Sequence, residues 1–307
     1  MRVTKRLYLV IACVIILGTG LWQGAIAISS YYAHAAAQQQ GTATTPIQHV
    51  VIIMMENHTF DNFFGLFPGA NGYTEAHASN PLRSDMSHSA VSTEAALKEG
   101  FAPRSYVQYT KDDIPNYWSY AQQFGLSDKF FTSMAASSTP NHMAMVAAQS
   151  GGAFDTHQMQ GCNSPQNTML YSENKDTGVP YWTFPCYNIN SVAQELSSAG
   201  LSWRYYSTSG IWDAPLLMQP TYNSPNGQYK PSQFIPDVQS GNLADVSWIT
   251  PPTDLASDHP PEPLQAGQNF VTKQVNAIMQ SPYWSNTAIF LTWDVWVGSS
   301  ITSPHRS

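Results

Sequence analysis

The chain has 307 residues, of which 43% are hydrophobic and 11% are charged, and its formal net charge is −7. A chain of this length and apolar content can bury a large core, and it suits one sizeable domain. The acidic balance argues against nucleic acid as a partner, because surfaces that bind nucleic acid carry an excess of basic residues. With only three cysteines, a disulfide scaffold or a thiolate metal site is not supported.

Residues 1–40 have the order of a secretory signal or an N-terminal anchor followed by a polar linker. Arg2, Lys5 and Arg6 precede an apolar run from Leu7 to Leu17, and small residues follow it. Removing the first 37 residues takes away three of the 13 basic residues and none of the 20 acidic ones, which leaves a net charge of −10. We therefore expect a secreted or extracytoplasmic protein whose N-terminal segment is either cleaved or retained at a membrane. The domain itself would comprise residues 41–307.

Strands and helices can be predicted for parts of this domain. Two continuous apolar runs with β-branched residues, His49–Met55 and Thr287–Trp293, predict strands covered on both faces, as in a parallel sheet between helix layers. Start and stop signals predict four helices: Ile114–Phe124, Pro140–Gln149, Ser191–Ala199 and Gly267–Met279. The pattern favours an α/β fold with a largely parallel central sheet.

A loop-rich region is expected from about residue 151 to residue 185, and irregular chain of this length is often functional. It contains Cys162, and Cys186 follows directly after it. Because Cys13 lies in the N-terminal segment, these two cysteines are the only possible pair in an oxidising compartment. A disulfide between them is therefore plausible.

Oxygen-bearing side chains follow both predicted strands directly. Glu56 and Asn57 come after the first strand, and Asp294 comes after the second. In open α/β sheets, ligands bind beyond the carboxyl ends of the strands. Polar residues often follow a strand where the chain leaves the sheet, and this would explain each set of residues taken alone. Two strands that both end in oxygen-bearing side chains favour a site for a divalent cation.

Two hydroxyl residues, Ser138 and Thr139, stand before Pro140 at the start of a predicted helix. One interpretation is an ordinary helix cap, because a hydroxyl residue suits the cap and proline suits the first turn. The other is a nucleophile at a helix N-terminus, where free N–H groups bind a phosphoryl group and a nearby metal ion activates the hydroxyl. The spacing alone favours the cap.

Several separated motifs resemble those of the bacterial phosphoesterase family, which contains phospholipases C and acid phosphatases. The segment from Ile47 to Gly65 resembles the opening signature of that family, and Ser138 to His142 matches its S/T-x-P-N-R/H box. Further motifs follow in the family's order and extend the resemblance over residues 46–296: Asp85 with His88, Gly200 to Tyr206, Ser247 to Ile249, Asp258 to Pro261, and Ser281 to Asp294.

The resemblance implies an alkaline-phosphatase-like fold and hydrolysis of phosphate mono- or diesters, with phosphate esters or phospholipids as substrates and a divalent metal ion as cofactor. It implies Ser138 as the nucleophile, with Thr139 as the fallback. The other implied site residues are Glu56, Asn57 and Asp294 as metal ligands, His259 and His142 as catalytic residues, and Asn141 and His88 at the substrate. An isolated histidine can also be a structural hydrogen-bonding residue, and this alternative stays open for His88 and His142.

The chain departs from the family pattern near its C-terminal end. Val295 stands where the family has a second carboxylate, which leaves the number of metal ions open. The tail, residues 297–307, does not match, although codons can be chosen for it such that one added G restores the family's run WGGFFDHVAPP. We therefore expect a frameshift at Val297 and a truncated sheet that is incomplete at its C-terminal end, with an exposed edge and poor folding as consequences.

Two alternatives belong to other functional classes. A catalytically inactive, truncated remnant or an exported binding module would use the aromatic residues, which make up 12% of the chain. A sulfatase-like enzyme on the same fold is disfavoured, because Ser138 to His142 is not the C/S-x-P-x-R box of that family.

Overall fold

The computed structural model describes residues 45–100, 106–155, 161–174, 177–208, 210 and 212–295. All of the elements below lie in the unit Ile47–Ser307. The predicted export segment, residues 1–40, and the predicted out-of-frame tail, residues 297–307, lie outside the described residues. Within the described part, no helix combines the length and the apolar character needed to cross a lipid bilayer.

A four-stranded parallel sheet forms the centre of the domain, in the order β6-β7-β1-β8. The strands in chain order are β1 (His49–Met55), β2 (Ala76–His77), β3 (Val107–Gln108), β4 (Leu170–Glu173), β5 (Pro180–Thr183), β6 (Trp203–Tyr206), β7 (Val246–Ile249) and β8 (Thr287–Trp293). Strands β2 and β3 form one small sheet, and β4 and β5 form another. Both predicted strands are confirmed at their predicted bounds, as β1 and β8.

Helices connect the strands. In chain order they are α1 (Phe60–Phe64), α2 (Ala90–Glu99), α3 (Pro115–Gln123), α4 (Ser138–Ala147), α5 (Val192–Ser198), α6 (Ala214–Leu217), α7 (Phe234–Gln239) and α8 (Leu264–Met279). The four predicted helices are present as α3, α4, α5 and α8, with ends that differ from the prediction by at most three residues. Helix α5 begins at a capping box, in which Ser191 and Gln194 bind each other's backbone N–H groups.

The sheet separates two apolar cores. Val51 and Ile53 of β1 are fully buried in one core, together with side chains of α1, α3, α7 and α8. The neighbouring Ile52 packs against the other core, which holds side chains of α4, α5 and α6. Each fully buried Val or Ile contributes about 1.5–3 kcal/mol, so the unbroken apolar run of β1 stabilises its position between two helix layers. The expected α/β architecture with a central parallel sheet is confirmed.

Strand β8 is less covered than the sequence predicted. Among the described residues its only strand partner is β1, and Phe290 in the middle of β8 is 57% exposed. The prediction that both strands are covered on both faces is therefore wrong for β8. The reason is its position at the edge of the sheet, which an apolar run does not reveal.

The region from residue 151 to residue 185 contains an antiparallel hairpin, β4–β5, within the predicted loops. Cys162 and Cys186 form a disulfide, which confirms the plausible pairing. On the hairpin, Tyr171 and Trp182 pair across the strands with their rings in edge contact, 5.3 Å between centroids. The disulfide thus closes a loop that contains the whole hairpin.

Candidate active site

The carboxyl ends of β1 and β8 place two carboxylates side by side. The two strands pair in parallel from His49 opposite Thr287 to Met55 opposite Trp293, so Glu56 and Asp294 leave the sheet at the same level. The Asp294 backbone N–H donates to the Met55 carbonyl at 3.1 Å. Both carboxylates are buried, as expected of charged groups only where partners or a cation offset the loss of water.

Asn57 joins these two strand ends. Its backbone N–H donates to Asp294 Oδ1 at 3.0 Å, and its backbone has a positive φ of 52°. Asparagine tolerates this left-handed conformation better than most residues. The side-chain oxygen of Asn57 is buried and has no hydrogen-bond partner in the described part of the chain. A bound group would satisfy this oxygen.

Ser138 is the first residue of α4, and the helix cap is Ser137. The Ser138 hydroxyl donates to Glu56 Oε2 at 3.1 Å and is buried. Its hydroxyl therefore contacts the carboxylate cluster, and the cap interpretation does not apply to it. Thr139 is the next residue of the same helix and is also buried.

His142 lies one helical turn after Ser138, and this spacing places the two side chains on the same face of α4. Its Nε2 atom is 2.9 Å from Glu56 Oε1 and 3.8 Å from Asp294 Oδ2. All three side chains have no exposed surface. The structure therefore brings His142 into the centre of the predicted metal site.

His88 and His259 are partly buried and form a second group with Asp85, in which one ligand atom from each residue lies within 4.8 Å of the others. The His88 Nδ1–H donates to the Met86 carbonyl at 3.0 Å, and the His259 Nδ1–H donates to the Pro260 carbonyl at 2.6 Å. In both rings Nε2 therefore remains for another partner, and His88 Nε2 lies 3.5 Å from the Asn57 amide nitrogen. The two ring centroids are 5.5 Å apart.

Asn141, the other residue expected at the substrate, is engaged elsewhere. Its side-chain oxygen accepts from the Met134 backbone N–H at 3.1 Å and lies 2.6 Å from the Thr132 hydroxyl. Its amide group donates to the carbonyls of Met134, Ala136 and Ser137, each at 3.2 Å. In this conformation Asn141 fixes the loop that leads into α4.

The ionisation of the cluster follows from its burial and its internal contacts. Burial would raise the pKa of Glu56, but the hydrogen bond and charge of His142 outweigh it and lower the pKa. For His142, burial acts to lower the pKa, and the contact with Glu56 raises it overall. Burial and the adjacent Glu56 raise the pKa of Asp294 to about 6. The charge of Glu56, acting against burial, raises the pKa of His259.

The donor atoms fit a divalent cation. One ligand atom from each of Glu56, His142 and Asp294 lies within 4.8 Å of the others. Asp294 Oδ2, like the Asn57 side-chain oxygen, has no hydrogen-bond partner among the described residues. Buried anionic oxygens without partners are costly, so a cation between them would stabilise this arrangement.

Some residues that shape the site were not identified from the sequence. Asp258 precedes His259 in a left-handed conformation with φ of 70°, and its Oδ2 accepts from Tyr117 at 2.8 Å and from Trp293 at 3.2 Å. Tyr205 contacts His142 from β6. The only sequence signal was their position inside family motifs, because these contacts depend on tertiary packing.

The chain is similar to known proteins over most of its length. The model of the phosphoesterase family matches residues 47–298. The hemolytic phospholipase C of Pseudomonas aeruginosa is 25% identical over 81% of this chain and 42% of its own length. Phospholipase C A of Mycobacterium tuberculosis is 22% identical over 81% of this chain and 58% of its own.

A plant protein shows a similar level of likeness. The non-specific phospholipase C3 of Arabidopsis thaliana is 21% identical over 83% of this chain and 55% of its own length. The chain thus spans about half the length of the curated relatives that it matches.

Proposed function

This chain belongs to the phosphoesterase family, and on that premise we propose that it hydrolyses phosphate esters, phospholipids among them, with Ser138 as the nucleophile. The observation that carries the proposal is the hydrogen bond from the Ser138 hydroxyl to Glu56, 3.1 Å long, at the start of a helix. The names of the relatives, which are phospholipases C, support the substrate class.

The first step forms a bond between Ser138 Oγ and phosphorus. Glu56, whose lowered pKa keeps it ionised, accepts the hydroxyl hydrogen bond and takes the hydroxyl proton as the bond to phosphorus forms. Glu56 returns this proton to Ser138 Oγ when the phosphoserine is hydrolysed. The positive end of the α4 dipole, at the helix N-terminus, stabilises negative charge on the phosphoryl oxygens. Thr139 is the alternative nucleophile, because it carries a hydroxyl one residue further along the helix.

The bond from phosphorus to the leaving group breaks in the same step, and the leaving oxygen needs a proton. His259 is the proposed donor, because its raised pKa favours the protonated ring. Water then attacks the phosphoserine, His259 accepts a proton from that water, and Ser138 is released with inorganic phosphate or a phosphomonoester as the product. His88 lines the same pocket and binds the phosphoryl group.

A divalent metal ion held by Glu56, Asn57 and Asp294 would supply positive charge beside the nucleophile and the phosphoryl oxygens. The side-chain oxygens of Asn57 and Asp294 that have no partner in the described part of the chain support this ligand set. The proposal includes export, with action on substrates outside the cytoplasm, because residues 1–40 have the pattern of a signal or anchor.

The proposal is tested by release of p-nitrophenol from its phosphate monoester and from its phosphorylcholine diester, with the purified chain and with S138A and T139V variants. We expect S138A to lower kcat by on the order of 10³-fold or more, as for other nucleophile deletions. T139V should retain most of the activity, and a chelator should abolish it.

The opposite ranking of the two variants would make Thr139 the nucleophile. Folded wild-type protein that hydrolyses neither ester, with or without added divalent metal ions, would favour the exported binding module over an enzyme. A circular dichroism spectrum of each variant controls for loss of the fold.

A further inference from the structure

His142 lies where a metal-binding residue would lie, with one ring nitrogen facing two buried carboxylates. Its Nε2 atom faces Glu56 Oε1 at 2.9 Å and Asp294 Oδ2 at 3.8 Å, and all three side chains are completely buried. The ligand atoms of these residues lie within 4.8 Å of one another. The residue after Asp294 is Val295, which is buried and offers no ligand atom. Within the described residues, His142 therefore offers a nitrogen donor beside the two carboxylates, in addition to the side-chain oxygen of Asn57.

A chain of hydrogen bonds determines which nitrogen of His142 a metal ion could bind. Tyr205 donates its hydroxyl hydrogen to the Trp212 carbonyl at 2.6 Å. The Tyr205 oxygen, 3.4 Å from His142 Nδ1, can then only accept from that nitrogen. Nδ1 consequently carries a hydrogen that faces Tyr205. Nε2, which donates its own hydrogen to Glu56 Oε1 at 2.9 Å, is the nitrogen that a metal ion would bind by displacing that hydrogen. An outer hydrogen bond of this kind is typical of histidines that bind metal ions.

We propose that His142 binds the metal ion of this site through Nε2, together with carboxylate oxygens of Glu56 and Asp294. This inference rests on the proposed function, and it specifies the class of metal ion. The imidazole of His142, added to the oxygen ligands Glu56, Asn57 and Asp294 of the proposed function, favours a transition metal ion such as Zn²⁺, whereas Ca²⁺ and Mg²⁺ prefer oxygen ligands alone.

The test measures ligation directly and does not depend on activity. The protein is loaded with Co²⁺, and proton NMR is used to look for a hyperfine-shifted, exchangeable signal from the Nδ1–H of a bound imidazole. We expect this signal in the wild-type protein and in H77Q, which alters an exposed histidine outside the cluster. We expect its loss in H142Q. Absence of the signal from wild-type protein, or its persistence in H142Q, would overturn the proposal.

Equilibrium dialysis against Zn²⁺ and Mg²⁺ tests the metal preference. The wild-type protein should bind Zn²⁺ more tightly than Mg²⁺, and Y205F should weaken Zn²⁺ binding by about 10- to 100-fold, as loss of an outer hydrogen bond does elsewhere. The H142D variant, which restores an all-oxygen set, should shift the preference toward Mg²⁺. Equal binding of the two ions by wild-type protein would contradict the inference.

The outcomes separate this inference from the proposed function. If wild-type protein binds no divalent ion and E56Q behaves identically, the metal site of the proposed function itself fails. If binding depends on Glu56 but no imidazole signal appears, only the role of His142 fails. If H142Q folds poorly, absence of the signal from wild-type protein still overturns the proposal, and Y205F, which keeps His142 but removes the partner of its Nδ1–H, should shift the signal if it arises from His142.

Discussion

Asp258 shows how a single buried residue links the site to stability. Burial raises the pKa of this carboxyl to about 7, while Tyr117 and Trp293 donate hydrogen bonds to it. A pKa that is higher in the folded than in the unfolded state contributes stability at low pH. We expect this contribution to be complete below about pH 4 and to disappear as the pH rises through about 7.

The substitution D258N tests this expectation. Asparagine keeps an oxygen that accepts from Tyr117 and Trp293, tolerates the positive φ, and has no charge to bury. We expect D258N to raise the free energy of unfolding at pH 8 by at most about 4 kcal/mol, at about 1.4 kcal/mol for each unit between the two pKa values. The gain should vanish near pH 4 in urea titrations.

The exposed Asp112 provides the matched control. Its variant, D112N, should leave the pH dependence of unfolding unchanged. A D258N protein whose stability follows the wild-type pH profile would show that Asp258 stays ionised in the folded state.

At the residue scale, the sequence predicted the juxtaposition of the two strand-end carboxylates better than the position of their neighbours. Glu56 and Asp294 follow apolar runs directly, and parallel pairing then forces them together. The position of His142 against both carboxylates could not be read in this way, because it depends on the rotation of α4 about its axis. The structural role of Asn141 could not be predicted from the sequence either, because it depends on how the preceding loop folds around its side chain.

At the scale of elements, the disulfide and the hairpin form one unit. Cys162 and Cys186 are 24 residues apart, and the loop that they close contains β4 and β5. Closing a loop of this length restricts the unfolded chain and stabilises the fold by roughly 3 kcal/mol. We expect the double variant C162S/C186S to lose about this amount in denaturant titrations.

A reducing agent supplies the control for this prediction. It should destabilise the wild-type protein toward the level of the double variant, and it should have no further effect on C162S/C186S. Equal stability of the oxidised wild-type protein and the double variant would show that strain or residual structure cancels the gain.

Apart from the ten-residue helix α2, the elements that the sequence missed are short. Strands β6 and β7 have four residues each, too few for a clear periodic pattern, whereas β1 and β8 have seven. Longer helices with proline or polar signals at their ends, such as α3 and α8, were predicted to within three residues. The short strands are stabilised by tertiary contacts within the central sheet, and such contacts cannot be predicted from local propensity.

At the scale of the whole molecule, a bound metal ion should stabilise the entire domain, because its proposed ligands follow β1 and β8 and lie on α4. An ion whose free concentration is 100 times its dissociation constant raises the free energy of unfolding by about 2.7 kcal/mol. For a domain of this size, we expect a chelator to lower Tm by about 5–10 °C. Differential scanning fluorimetry measures this shift.

The variant E56Q serves as the comparison in that experiment. It lacks one of the proposed ligands, so its Tm should not respond to the chelator. A chelator-induced shift of the same size in E56Q would mean that the stabilising ion binds elsewhere.

The parallel pairing of β1 with β8 also determines when the site can form during protein synthesis. Asn57 and Asp294 bind each other across 237 residues of chain. At a synthesis rate of about 5–20 residues per second, the ribosome needs roughly 10–50 s to make the second partner after the first. Throughout that interval the nascent chain has Glu56 and Ser138 but no Asp294. The proposed chemistry is therefore withheld from the cell that makes the protein until strand β8 and Asp294 have been synthesised.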